Sequence, residues 1–165
     1  GLDTGSSSDP CAHSYRGEAP ASEPEVKAIV DYARKLFPEQ QRKDDPETAY
    51  PESAKGVFID VHSFGDFMLW PWAYKEGVSP NESQFQAILN KLRYFNNYDF
   101  YGPGGEFLYS ASGTSDDFGY ATLGAASLTV ELGSEFYEDC GNFLENILEK
   151  NMAMLTYAAK ISSAP

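Results

Sequence analysis

The chain has 165 residues, a net charge of −13, 42% hydrophobic residues and 15% aromatics. Such a length fits one domain with a real core, and such a composition is globular rather than disordered. The charge excludes a general nucleic-acid binder, which needs cations to displace counterions from a phosphate backbone, and no apolar run approaches the ~20 residues of a membrane helix.

The opening Gly1-Leu2-Asp3-Thr4-Gly5 is neither a signal peptide nor a natural start, and reads as a cut end. Residues 1–21 form a loop rich in Gly, Ser and Pro. A helix is predicted from Ser22, with Glu25 three residues on as a capping box. Val26, Ile29, Val30, Ala33 and Phe37 recur at helical spacing and mark one buried face, and Pro38 ends the helix. Residues 38–55 are charged and proline-containing, which predicts a surface loop free to vary or move.

The run 56–62 is short, apolar and β-branched, as a buried central strand would be. Trp70-Pro71-Trp72 lies in an extended or turning segment. Ser79 with Glu82 is expected to cap a second helix reaching about Phe95. Residues 96–118 carry Asn, Tyr, Gly and Ser with almost no periodicity, and so long an irregular stretch is usually functional. A second buried strand is predicted at 125–131. A loop then leads to an amphipathic helix at 142–160, with Phe143, Ile147, Met154, Leu155 and Ala158 on its apolar positions. Helix, strand, helix, strand, helix points to an α/β layered fold whose strand ends carry the site.

Cys11 and Cys140 belong to no Cys-x-x-Cys or zinc-knuckle spacing. They are two buried thiols, or one disulfide closing a long loop in an exported protein. Their Ser-, Asp- and Gly-rich surroundings favour the second.

Chemistry concentrates at a few positions. His62 ends the first strand, where a ring nitrogen can point into a cleft; a lone histidine is otherwise a core or surface residue. Glu131 closes the apolar run Ala125–Val130. Buried there it would have a raised pKa suited to general-base work, whereas exposed it would be an ordinary strand-end carboxylate. Tyr109 opens a Ser-Ala-Ser-Gly-Thr-Ser loop from which a phenol can swing over a ligand. Asp116 and Asp117 follow in that loop, with turn chemistry as the default. His13 sits in a polar loop and invites no role.

Taken in order, these segments resemble the zinc metallocarboxypeptidases of the carboxypeptidase A/B type, in their bacterial form. Gly56–Tyr74 is similar to the family strand that ends in His-Ser and continues into a hydrophobic Leu-Tyr/Trp-Pro segment. Leu108–Tyr120 is similar to its Tyr-x-Ala-Ser-Gly-x-Ser-x-Asp-Trp loop, and Leu128–Leu132 to its Phe-Thr-Phe-Glu-Leu strand. Residues 7–17 and 22–26 resemble the loop and helix preceding the His-Ser strand.

The resemblance implies an α/β/α sandwich on a mixed sheet (the phosphorylase/hydrolase-like carboxypeptidase fold) and one catalytic zinc. It implies His62 as a zinc ligand, Glu131 as the general base and Tyr109 as the group that closes over the substrate. By the same resemblance Ser63 and Phe64 contact the substrate, while Ala111 and Thr129 line the pocket for the terminal side chain. Asp116 takes the pocket-floor position, an aspartate in family members that favour Lys or Arg termini.

Three departures stand out. Phe118 occupies the place of the Trp after Asp117. No His-x-x-Glu pair occurs, and neither Arg16 nor Arg34 lies in the context of the family's substrate-gripping arginines. A catalytic zinc needs three protein ligands. Residues 1–165 therefore read as the C-terminal half of a secreted or periplasmic catalytic domain. Expected partners are peptide or protein C-termini and a complementary N-terminal half that holds the other zinc ligands, with no nucleic acid and no membrane. The alternatives are an inactive peptide-binding module and a fragment without a zinc site.

Overall fold

The computed structural model describes residues 5–42 and 47–162. Gly1–Thr4, read above as a cut end, and positions 43–46 of the predicted mobile loop lie outside the described residues. Along the chain run α1 (Pro24–Leu36), β1 (Val57–Ser63), β2 (Phe67–Trp70), α2 (Glu82–Asn96), β3 (Phe100–Pro103), α3 (Gly104–Phe107), α4 (Ser115–Ala121) and β4 (Ala126–Leu132). The last helical run comprises α5 (Cys140–Asn142), a π-helical stretch (Phe143–Leu148) and α6 (Glu149–Ile161).

The strands form one mixed sheet in the order β1-β4-β2-β3. β1 and β4 are parallel, β2 and β3 are parallel, and β2 meets β4 antiparallel. Alternation along a strand separates its two faces. Leu128 and Val130 of β4, with Met68 and Trp70 of β2, bury one face in a core with Phe85, Leu89 and Leu92 of α2 and Met154 and Ala158 of α6. Each of the larger apolar side chains contributes about 1.5–3 kcal/mol through burial. Trp70 fixes α2 to the sheet by donating from Nε1 to Glu82 at 2.7 Å.

The other face of β1 and β4 carries Phe58, Asp60, His62, Ser127, Thr129 and Glu131. Here α4 packs closely: a Cβ on Gly119 would come within 2.3 Å of Ser127 Oγ and 3.1 Å of Phe58. With helices on both faces of a mixed sheet, the α/β/α expectation holds.

Several local expectations need correction. α1 begins at Pro24 with no side-chain cap, because Ser22 Oγ donates to Glu23 rather than closing a box with Glu25. Of its predicted buried face only Ala33 is buried. Val26 and Ile29 are exposed, since no described element covers them. β1 is an edge strand rather than a central one, and only half-buried.

α2 begins after Asn81 without a side-chain cap; Asn81 instead exchanges hydrogen bonds with the backbone of Tyr50, and the buried Ser79 hydroxyl has no partner. The stretch 96–118, expected to be irregular, holds β3, α3 and the start of α4. Phe143, expected on a buried face, is 39% exposed and opens the π-helical stretch, in which Ile147 is the buried residue. Cys11 and Cys140 are exposed free thiols, which overturns both the buried and the bridged reading.

Candidate functional site

The parallel register sets His62 of β1 directly beside Glu131 of β4, and Asp60 beside Thr129. Opposed residues of neighbouring strands project from the same face, so these four side chains share one patch at the C-terminal end of the parallel pair. This is the end where open α/β sheets place their ligands. Two positions so distant in sequence converge because the run between them supplies β2, α2, β3 and α4, then returns β4 alongside β1.

The His62 side chain is 50% exposed, and its Nε2 lies 3.1 Å from Asp60 Oδ2. Ser115, in the first turn of α4, donates a short hydrogen bond to the same oxygen. Glu131 Oε2 is buried with no hydrogen-bond partner. Burial raises the Glu131 carboxyl above its ordinary value; the neighbouring His62 opposes that shift and Asp60 adds to it. A carboxyl held this way is a better proton acceptor than an exposed one.

The remaining candidates sit nearby in sequence or apart. Ser63 and Phe64 follow His62 directly and are exposed, with the Phe64 ring edge-on to Phe136 at 4.8 Å. Ala111 is half-buried, its N–H donating to Ala73 O at 2.8 Å. Tyr109 is 69% exposed on its loop.

Asp116 is 2% exposed and accepts the N–H of Asp117 at 2.9 Å. Asp117 is also buried, and its two oxygens receive the backbone N–H groups of Ala73 and Tyr74 at 2.9 and 3.0 Å. Burial pushes its carboxyl up to about 7, against those hydrogen bonds and with the help of Asp116. Asp117 thus clamps the segment after β2 to α4. An apolar cleft of about 170 Å³, lined by Tyr50, Gly56, Phe85 and Tyr120 among others, lies at the beginning of β1 and β4. It is at the opposite end from His62 and takes no part in the chemistry.

Asp60 and Ser115 escaped the reading of the sequence. The signal for Asp60 was present: an acid two positions before His62, on an otherwise apolar strand, must share its face. Nothing local announces Ser115, because its partner is 55 positions away.

The family model for zinc carboxypeptidases matches residues 2–154, and the chain belongs to that family. Carboxypeptidase B of Rattus norvegicus is 30% identical over 135 residues, covering 79% of this chain and 29% of the relative. Carboxypeptidase B2 of Mus musculus is 33% identical over 134 residues, covering 78% of this chain and 28% of the relative. The chain thus spans less than a third of the length of these relatives.

Among solved structures, thrombin activatable fibrinolysis inhibitor superposes with a TM-score of 0.74 at 22% identity, covering 98% of this chain and 39% of that one. The carboxypeptidase A of Helicoverpa armigera gives 0.72 at 23% identity, covering 99% and 40%. Both likenesses establish the fold.

Family membership implies zinc, and the patch fits part of such a site. A histidine whose Nδ1 is not the nitrogen beside Asp60 stands next to a buried carboxylate oxygen with no hydrogen-bond donor. Among the described residues no group of three or more His, Cys, Asp or Glu could hold a metal. One imidazole falls short of the three protein ligands that a catalytic zinc takes.

Proposed function

We propose that this chain is the C-terminal half of a secreted zinc metallocarboxypeptidase domain that removes C-terminal residues from peptides. The observation that carries the reading is the register of His62 against Glu131, with the raised Glu131 carboxyl facing His62 on one open patch. In this reading His62 is one zinc ligand, and the others come from a complementary N-terminal half. The edge position of β1 and the exposed apolar side chains of α1 support that partner, because both are surfaces a further layer would cover.

Bound zinc supplies Lewis-acid activation of the scissile carbonyl and of water. Glu131 takes a proton from the attacking water and delivers it to the leaving amine nitrogen. Tyr109, exposed on its loop, closes over the substrate terminus, while Ser63 and Phe64 contact the residues upstream. Ala111 and Thr129 line the pocket, and Asp116 at its floor favours a terminal Lys or Arg.

In the whole protein, Glu131→Gln is expected to lower kcat by about 100-fold or more while KM changes little. Steady-state kinetics on a peptide with a C-terminal Lys checks this. An equal loss of binding would make Glu131 structural. An inactive peptide-binding module would instead bind the peptide regardless of chelator and never hydrolyse it.

A further inference from the structure

Two loops leave the functional end of the parallel pair: residues 64–66 after β1, and residues 133–139 between β4 and α5. They are tied together where they begin. The Gly65 N–H donates to Gly133 O at 2.8 Å, and Asp66 Oδ1 accepts the Gly133 N–H at 3.0 Å. The longer loop then folds around one carboxylate. Glu138 Oε1 accepts the backbone N–H groups of Ser134 and Glu135 and the Ser134 hydroxyl, while Oε2 accepts from Asn142 Nδ2 at 2.6 Å. Gly133, at φ 68°, leaves the room for it: a Cβ there would lie 2.6 Å from Glu138 Oε1. The Ser134 N–H, ahead of Asn142, holds the Glu138 carboxyl below its ordinary value, so it is ionised at neutral pH. Between the two fixed ends Phe136 is 69% exposed and meets the Phe64 ring edge-on at 4.8 Å.

We propose that Glu138 is the positioning residue of an aromatic wall beside the site: by folding residues 134–138 around its carboxylate, it sets Phe136 against Phe64. Ordering a loop costs backbone entropy that a single exposed ring contact does not offset. The hydrogen bonds to Glu138 supply that order, and Phe136 takes its place from them. Charge-assisted bonds of this kind are about twice as strong as neutral ones, so one side chain suffices to hold the loop. The anchoring stands on geometry alone. Its consequence for catalysis rests on the substrate contact proposed above for Phe64, which places both rings along the peptide upstream of the scissile bond.

The test begins with the nuclear Overhauser contact between the Phe64 and Phe136 rings in the whole protein, isotope-labelled at phenylalanine, which needs no turnover. A Phe136→Leu variant assigns the signals. The contact is expected in the parent, lost in Glu138→Ala and weakened in Asn142→Ala. It should be largely kept in Glu138→Gln, whose amide oxygen still accepts the Ser134 and Glu135 N–H groups. A contact of parent strength in Glu138→Ala would overturn the proposal; were that variant not to fold, parent strength in Asn142→Ala would do the same. In kinetics on a peptide with apolar residues upstream of the scissile bond, Glu138→Ala should raise KM roughly 3- to 10-fold and leave kcat within about twofold. Phe136→Ala should match it, and the double variant should add nothing further. Losses that add would overturn the proposal. A lost ring contact with unchanged KM would uphold the anchoring by Glu138 and overturn the substrate role of Phe64.

Discussion

Asp117 shows how an acidic side chain can be structural in one protonation state and costly in another. Its carboxyl titrates near 7 in the fold against an ordinary value of 3.8. The native state therefore holds a proton that the unfolded chain releases in between. By linkage this group's contribution to stability is complete below about 3.8 and is lost as the pH rises through about 7. Urea denaturation between pH 4 and 8 should show Asp117→Asn with a flatter decline than the parent, and identical slopes would mean that the carboxyl is ionised throughout. Its neighbour Asp116 poses a separate question. A charge-assisted bond from a desolvated carboxylate to a bound Lys or Arg is worth ~1.5–3 kcal/mol, or roughly 10- to 150-fold. In the whole protein, Asp116→Val should erase a preference of that size between C-terminal Lys and Leu, as judged by kcat/KM for the two peptides. Unchanged selectivity would remove Asp116 from the pocket floor.

At the level of elements, the site depends on how closely α4 approaches the sheet. Gly119 has no side chain where a Cβ would meet Ser127 Oγ at 2.3 Å, so Gly119→Ala should destabilise the fold by ~1–3 kcal/mol. It should also weaken the Ser115–Asp60 contact. Chemical denaturation measures the first effect, and no loss of stability would mean α4 can shift freely. The elements also divide by how much of them was legible. β4 and the functional end of β1 were readable because unbroken apolar runs signal strands, and α2 because Phe85, Leu89 and Leu92 follow helical spacing. β2, β3 and α4 were not read as elements. The two strands are four residues each, and α4 buries Asp116, Asp117 and Gly119 beside a single core aromatic, Tyr120, rather than an apolar stripe. The cap at Ser22 failed because its hydroxyl donates to Glu23, and that at Ser79 because α2 starts after Asn81, beyond the reach of the Ser79 hydroxyl. Proximity of His62 to Glu131 could not come from local pattern; the family resemblance brought it, and strand register gives its physical reason.

The whole molecule buries one face of its sheet in a core and leaves surfaces that such a core cannot explain. Val26, Ile29, Tyr32 and Leu36 of α1 are between 44% and 64% exposed, and among the described residues no strand pairs with the outer edge of β1. If an N-terminal half covers both, amides of β1 should exchange with deuterium far more slowly in the whole protein than in the isolated chain. Equal rates would leave that edge open in both. Whether His62 holds zinc is read straight from anomalous diffraction at the zinc edge on crystals of the whole protein. The expected peak lies about 2.0–2.1 Å from a ring nitrogen of His62, over the patch that His62 shares with Glu131. Zinc bound elsewhere, with the His62 ring turned away from it, would contradict the account.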